Sequence, residues 1–313
     1  MNTAKQHNNI FSSKGNGKLL LSGEYMVLRG AKTLSVPLQL GQSMDVYQNN
    51  QDGITWEAHH PNGPWHKVSF NDKLTITYSS DDTFAKTLQQ TLRCAIKMSK
   101  MNLSNLQGLN IVTKMDFMPE WGLGSSSTLI YNLSKFLKID PYELLKNTFK
   151  GSGYDIANAK HNKAIFYQIN NGKPQCIEVS FNPSFKDCIY FVYLGNKQSS
   201  KSSIKGFHKK KIDPAKISRI SAISTLMSVC SNLTEFKNLM EEHETIIGET
   251  IGKTSVMQKQ FSDFKGSIKS LGAWGGDFVM VVSDHPKQYV NDYFRSKNLN
   301  TIFKYYDLVL NAE

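Results

Sequence analysis

PEWGLGSSSTLIYNLSKFL, Pro119–Leu137, is the stretch on which the reading of this chain turns. Leu129, Ile130, Leu133, Phe136 and Leu137 recur at helical spacing from Ser125 onward, so the glycines at 122 and 124 feed the N-terminus of a helix. Glycine lets backbone N–H groups approach an anion, and a helix start adds unpaired N–H groups and a favourable dipole. The pattern is that of a phosphate loop, with Gly122, Leu123, Gly124, Ser125, Ser126 and Ser127 as candidate contacts. Ser126 is also the candidate ligand for Mg2+, which prefers hard oxygen donors and arrives with a nucleotide. The lysine of GxxxxGK[ST] is missing and GxGxxG is incomplete, so neither a Walker loop nor a dinucleotide fingerprint is present. A lone GxGSS more often just starts a helix, and the rest of the chain has to decide.

Upstream, KLLLSGEYMVL (Lys18–Leu28) reads as an apolar strand, a tight turn at Gly23 and a second apolar stretch. Residues Ser35 to Thr77 alternate and are rich in Val, Tyr, Trp and Thr, which predicts antiparallel strands and hairpins. A helix is expected over Asp82 to Met98. Downstream, Asp140 before Pro141 predicts a capped helix that stops at Gly151. GSGYDIANA (Gly151–Ala159) and the strand AIFYQI (Ala164–Ile169) come next. The second half holds a strand CIYFVYL (Cys188–Leu194), a basic Ser-rich loop, helices near Pro214–Ser231 and Thr234–Gly252, and a strand FVMVV (Phe278–Val282). Strand-rich stretches precede helical ones without a repeat, so the fold class is α+β in two domains, 1–185 and 186–313, rather than one doubly wound sheet.

The 313 residues carry 40% hydrophobic composition and a net charge of +11, enough chain for two cores and a preference for an acidic partner. The basic runs Lys197–Lys211 and Lys253–Lys269 lack the aromatic spacing of a base-stacking surface, so an anionic small molecule is expected rather than nucleic acid. The run near Lys259 reads as a solvated face, and His243 as structural or solvent-facing. Cys94, Cys176, Cys188 and Cys230 form no CxxC pair, which argues against zinc and disulfides and for a reducing cytoplasm. The N-terminus lacks the apolar stretch of a signal peptide, and no run approaches the roughly 20 apolar residues of a span, so no membrane role is expected. A monomer or homodimer is expected.

Taken together, KLLLSGEYMVLRGAKTLSVPL, PEWGLGSSST, GSGYDIANA and LGAWGGDFVMV resemble in order and spacing the motifs of the GHMP kinases, over about residues 17 to 282. The resemblance implies a ribosomal protein S5-like N-terminal domain, a ferredoxin-like C-terminal domain, ATP with Mg2+ as cofactors, and γ-phosphoryl transfer to a small anionic acceptor. GEY at Gly23–Tyr25, GSGYD at Gly151–Asp155 and GGD at Gly275–Asp277 are most similar to phosphomevalonate kinases, which makes phosphomevalonate the first expected acceptor and mevalonate the second. By the same resemblance Asp155 is the candidate base and Lys18 steadies it and the developing charge. Glu24 and Tyr25 contact the acceptor or buttress the first motif. Lys197, Ser199, Ser200 and Lys201 in GNKQSSKSSI form an acceptor loop, and Gly275 and Gly276 are further substrate contacts.

Each residue has an ordinary competitor. Asp155 is equally an N-cap, Lys18 a solvated strand-end lysine, and the loop a mobile surface segment. The sequence also departs from the family pattern. Leu194 replaces a threonine, and Glu143 lies one residue off the register of a metal-binding glutamate. Trp274 stands where glycine is usual, and a ring there is expected to narrow the nucleotide side of the cleft. The alternatives are a kinase for another alcohol, such as a sugar or homoserine, and a nucleotide-binding protein of the same fold without transfer activity.

Overall fold

The computed structural model describes residues 8–49, 52–195, 206–207, 210–274 and 277–310. The chain is α+β and forms two compact units that interleave in sequence. The first is Met1–Gly17, Leu40–Pro119 and Gly124–Lys160; the second is Lys18–Gln39, Glu120–Leu123 and His161–Glu313. Two long strands, β1 (Asn8–Ser22) and β2 (Thr33–Gln48), pair with each other and run through both units. β1 begins ten residues before the apolar run that marks it in the sequence, because its first half is mostly exposed and gives no sustained hydrophobic signal.

In the first unit, residues Gln42–Gln48 of β2 pair antiparallel with β6 (Leu109–Met115). β3 (Ile54–His60) and β4 (Gly63–Phe70) form the expected hairpin, and β5 (Ile76–Ser79) joins β4. The hairpin reading misses one feature: β3 lies parallel to β6. Parallel neighbours need a crossover, and β4, β5 and the helix α1 (Asp82–Met98) supply it. α1 is capped by Asp81, whose carboxylate accepts the Phe84 N–H at 2.7 Å. α2 (Ser125–Leu137), α3 (Pro141–Asn147) and α4 (Tyr154–Lys160) complete the unit. Trp56, Val46, Leu88, Leu92, Ile130, Leu133, Leu144 and Ile156 share its core. α3 starts as the sequence predicts, with Asp140 accepting the Glu143 N–H and Pro141 opening the helix, but ends at Asn147.

In the second unit, residues Thr33–Ser35 of β2 pair with β7 (Ile165–Asn170), which hairpins with β8 (Lys173–Glu178). Beyond them lies a four-stranded antiparallel sheet: β9 (Ile189–Tyr193), β10 (Ser267–Leu271), β11 (Phe278–Val282) and β12 (Ile302–Lys304) in the order β10-β11-β9-β12. Between β9 and β10 run α5 (Pro214–Val229), α6 (Leu233–Ile251) and α7 (Val256–Gln260), and α8 (Lys287–Ser296) joins β11 to β12. This is the strand order of a split β-α-β, ferredoxin-like arrangement with an enlarged first crossover. α6 is capped by Asn232 and ends on left-handed Gly252.

The turn after β1 is tightly packed. Gly23 has φ +90°, and a Cβ built there lies 2.5 Å from Cγ2 of Thr33. Left-handed backbone and lack of space both demand glycine. Gly23→Ala is expected to lower stability by at least about 1 kcal/mol, read as a shift of the urea midpoint at constant slope.

Candidate active site

The predicted phosphate loop has the backbone its glycines suggest. Gly122 has φ +69° and Gly124, the N-cap of α2, has φ +104°. Ser127 and Thr128 donate their N–H groups to the Gly124 carbonyl at 3.0 Å, which leaves the N–H groups of Ser125 and Ser126 at the open end of a 13-residue helix. The Ser126 side chain is exposed and that of Ser127 is buried, so Ser126 is the hydroxyl free to meet a phosphate or a cation. Leu123 is 1% exposed and offers a ligand only backbone. Inside the same unit Thr128 donates to Gln42 Oε1 at 2.8 Å and Asn132 donates to the Gln42 carbonyl at 2.8 Å, which ties α2 to β2.

In the second unit Lys18 is joined to residues 122–123 twice. Its backbone N–H donates to the Leu123 carbonyl at 3.0 Å, and Nζ donates to the Gly122 carbonyl at 3.1 Å. Lys18 is therefore not a solvated strand-end lysine: its ammonium is half-buried on the glycine turn. Lys18, Leu20, Trp121, Gly122, Leu271, Asp277 and Phe278 line one small cleft. Trp121 borders an aromatic group with Tyr193, Phe278 and Phe303, at centroid distances of 6.2, 6.1 and 5.4 Å. Burial pushes the Tyr193 phenol up, with Glu120 and Asp277 adding to the shift.

Asp155 lies half-buried in the first turn of α4, behind left-handed Gly151 and Gly153. α4 packs on α2, the helix that the phosphate loop opens. Lys197, Ser199, Ser200, Lys201, Gly275 and Gly276 lie outside the described residues. Glu143 is on the surface of α3, 3.7 Å from Lys146. Among the described residues no group of three or more His, Cys, Asp or Glu side chains could hold a metal ion.

Glu24 and Tyr25 point inward. Glu24 is 1% exposed and accepts from Lys269 Nζ at 2.6 Å. Lys269, which the sequence places in a solvated basic run, is fully buried on β10, where the alternation of the sheet points it at Glu24. His243 on α6 is buried too, and its Nε2 accepts the Gly23 N–H at 2.9 Å. Nε2 then carries the lone pair, so Glu24 Oε2, 3.1 Å away, gains no hydrogen bond from it. Burial works to raise the Glu24 carboxyl, but the Lys269 ammonium at 2.6 Å outweighs it and holds the group below the usual carboxylate range. Burial, with Lys269, lowers His243 to about 4 and keeps it neutral. The adjacent Glu244 is pushed up to about 8 by burial, which Lys269 offsets only in part. At neutral pH the group thus holds one anion and one cation. The Tyr25 hydroxyl accepts the Trp274 N–H at 3.0 Å. The Trp274 ring is buried against Gly248 of α6 and does not line the Lys18 cleft, so the expected narrowing at that cleft is not seen.

Sequence reasoning alone assigns no role to Asp277, Trp121 or Lys269. Only Asp277 carries a signal, as the last residue of GGD.

No protein-family model matches the chain, and no curated protein sequence matches it. Solved structures do. The mevalonate kinase of Methanococcus jannaschii is similar over 99% of this chain and 100% of its own, with a TM-score of 0.70 at 17% identity. The phosphomevalonate kinase of Streptococcus pneumoniae, solved with phosphomevalonate and AMPPNP, is similar over 94% and 100%, with a TM-score of 0.67 at 13% identity. The galactokinase of Lactococcus lactis, solved with galactose, is similar over 93% and 92%, with a TM-score of 0.64 at 11% identity. The chain has the fold of the GHMP kinases.

The buried group makes stability depend on pH. The Glu244 carboxyl keeps its proton up to about 8 when folded, whereas an unfolded one loses it near its ordinary 4.5. The folded state therefore binds the extra proton in this window, and the contribution of Glu244 to stability falls as pH rises through it. Glu244→Gln is expected to be more stable than the parent by at least about 1 kcal/mol at pH 8, with the difference shrinking toward pH 5 in paired thermal melts.

Proposed function

We propose that the protein is an ATP-dependent small-molecule kinase that transfers the γ-phosphoryl group to an alcohol or phosphate acceptor, phosphomevalonate first and mevalonate second. The observation that carries this reading is the hold of Lys18 on the glycine turn, with Nζ 3.1 Å from the Gly122 carbonyl. A cation fixed on a glycine carbonyl suits the negative charge of a nucleotide's phosphates. Phosphoryl transfer asks little covalent work of a protein, so alignment and stabilisation of charge make up most of catalysis.

Gly122, Leu123 and Gly124 would contribute backbone to the phosphates, and Ser125 and Ser126 their N–H groups. The Ser126 hydroxyl would hold Mg2+, which supplies charge neutralisation on the phosphate oxygens when bound. Lys18 would steady negative charge as it develops. Asp155 would take the proton of an acceptor hydroxyl, or orient an acceptor phosphate that is already ionised. Lys197, Ser199, Ser200 and Lys201 would bind the anionic end of the acceptor through charge-assisted hydrogen bonds, and Gly275 and Gly276 would be further substrate contacts. Glu24 and Tyr25, buried in their own contacts, suit the buttressing role. Cys94, Cys176, Cys188 and Cys230 form no disulfide.

A second reading, transfer to a sugar or another simple alcohol, is supported by the galactokinase with the same fold. ADP release measured with phosphomevalonate, mevalonate, galactose and homoserine separates the two. No acceptor raising turnover above the ATPase background would remove both. Asp155→Asn is expected to lower the transfer rate by at least about two orders of magnitude, while ATP affinity by calorimetry stays within about twofold. A near-normal rate would show that Asp155 is not the base.

A further inference from the structure

Gly122 carries more than its left-handed backbone. A Cβ at this position would overlap Oδ2 of Asp277, so the carboxylate lies directly against the glycine whose carbonyl accepts from Lys18 Nζ. Asp277 and Lys18 line the same cleft. The backbone of Asp277 is fixed as well: its carbonyl accepts the Leu194 N–H at 2.9 Å, at the end of β9. The backbone that carries the carboxylate is thus held by a strand end, and carboxylate and ammonium both lie against Gly122 in that cleft. Glu120 and Tyr193 are the remaining ionisable groups bordering the turn, and the Tyr193 hydroxyl donates to the Glu120 carbonyl at 3.3 Å.

We infer that Asp277 is the positioning residue of Lys18: laid on Gly122, its carboxylate keeps the Lys18 ammonium charged and directed at the glycine turn where phosphate would lie. The inference rests on the kinase reading for its consequence in catalysis, though not for the pairing itself. An anion lodged at a phosphate loop opposes phosphate unless it acts through a cation, and Lys18 is the cation on the same glycine. A neighbouring carboxylate favours the charged form of an amine. Without Asp277, Lys18 would titrate at lower pH and lose its fixed direction.

Two measurements on the intact chain test this. The first is the pH dependence of Lys18 labelling by an amine-reactive acylating reagent, read by mass spectrometry of the peptide that contains it. Asp277→Asn, nearly isosteric, is expected to move the labelling midpoint down by about one pH unit, and Asp277→Glu to return it toward the parent. The second is transfer kinetics, where Asp277→Asn is expected to lower kcat at least about tenfold with the ATP KM within about twofold. The alkaline limb of its pH profile should move down in step with the labelling midpoint. An unmoved midpoint in a variant that melts like the parent overturns the inference, whether or not kcat falls. A parent protein that transfers phosphate to no acceptor sinks the kinase reading instead, and a shifted midpoint would still support the pairing.

Discussion

A buried charge has to be answered in place, and the second unit is arranged around one. Glu24 sits in the turn after β1 with its carboxylate out of water, and Lys269 reaches it from β10 at 2.6 Å. Either charge alone would be costly in that position; together they fix the two elements against each other. His243 supports the same turn from α6 by accepting the Gly23 N–H, a buried donor with a positive-φ residue behind it. Three elements distant in sequence therefore meet at GEY, and each supplies a side chain that the others need.

From that anchor the order passes into the neighbouring backbone. Tyr25, itself left-handed at φ 60°, holds the Trp274 N–H and so sets the beginning of the segment that leads to Asp277. Five residues before Gly23, β1 presents Lys18 to residues 122 and 123. The paired groups of GEY are buried, whereas Lys18 and Asp277 beside the glycine turn are half-exposed. This division between a dry, paired layer and a half-exposed layer that carries the chemistry is how a site keeps its geometry while remaining open.

The first unit contributes a different kind of order. Its phosphate loop owes its shape to Gly124 in the left-handed N-cap position and to the anchoring of α2 on β2 through Thr128, Asn132 and Gln42. Asp155 belongs to a short helix packed on that same α2. Buried Ser127 and Thr128 show that the start of α2 is half scaffold: these two face the core, and only Ser125 and Ser126 present open N–H groups.

Much of this is legible in the sequence. The glycines at 122 and 124, the helix behind them, the cap at Asp140, and the α+β class all come from local rules of backbone freedom, periodicity and capping, which depend on neighbours a few residues apart. Lys269 reads as solvated because a lysine that closes a basic run carries no local sign of burial; its partner lies in a turn 245 residues away. The inward face of Trp274, the parallel pairing of β3 with β6 and the carboxylate of Asp277 on Gly122 are hidden for the same reason. Residue type and short-range spacing determined which elements form and which chemistry is present, whereas long-range packing alone decided which charges are buried, which are paired and which face the glycine turn.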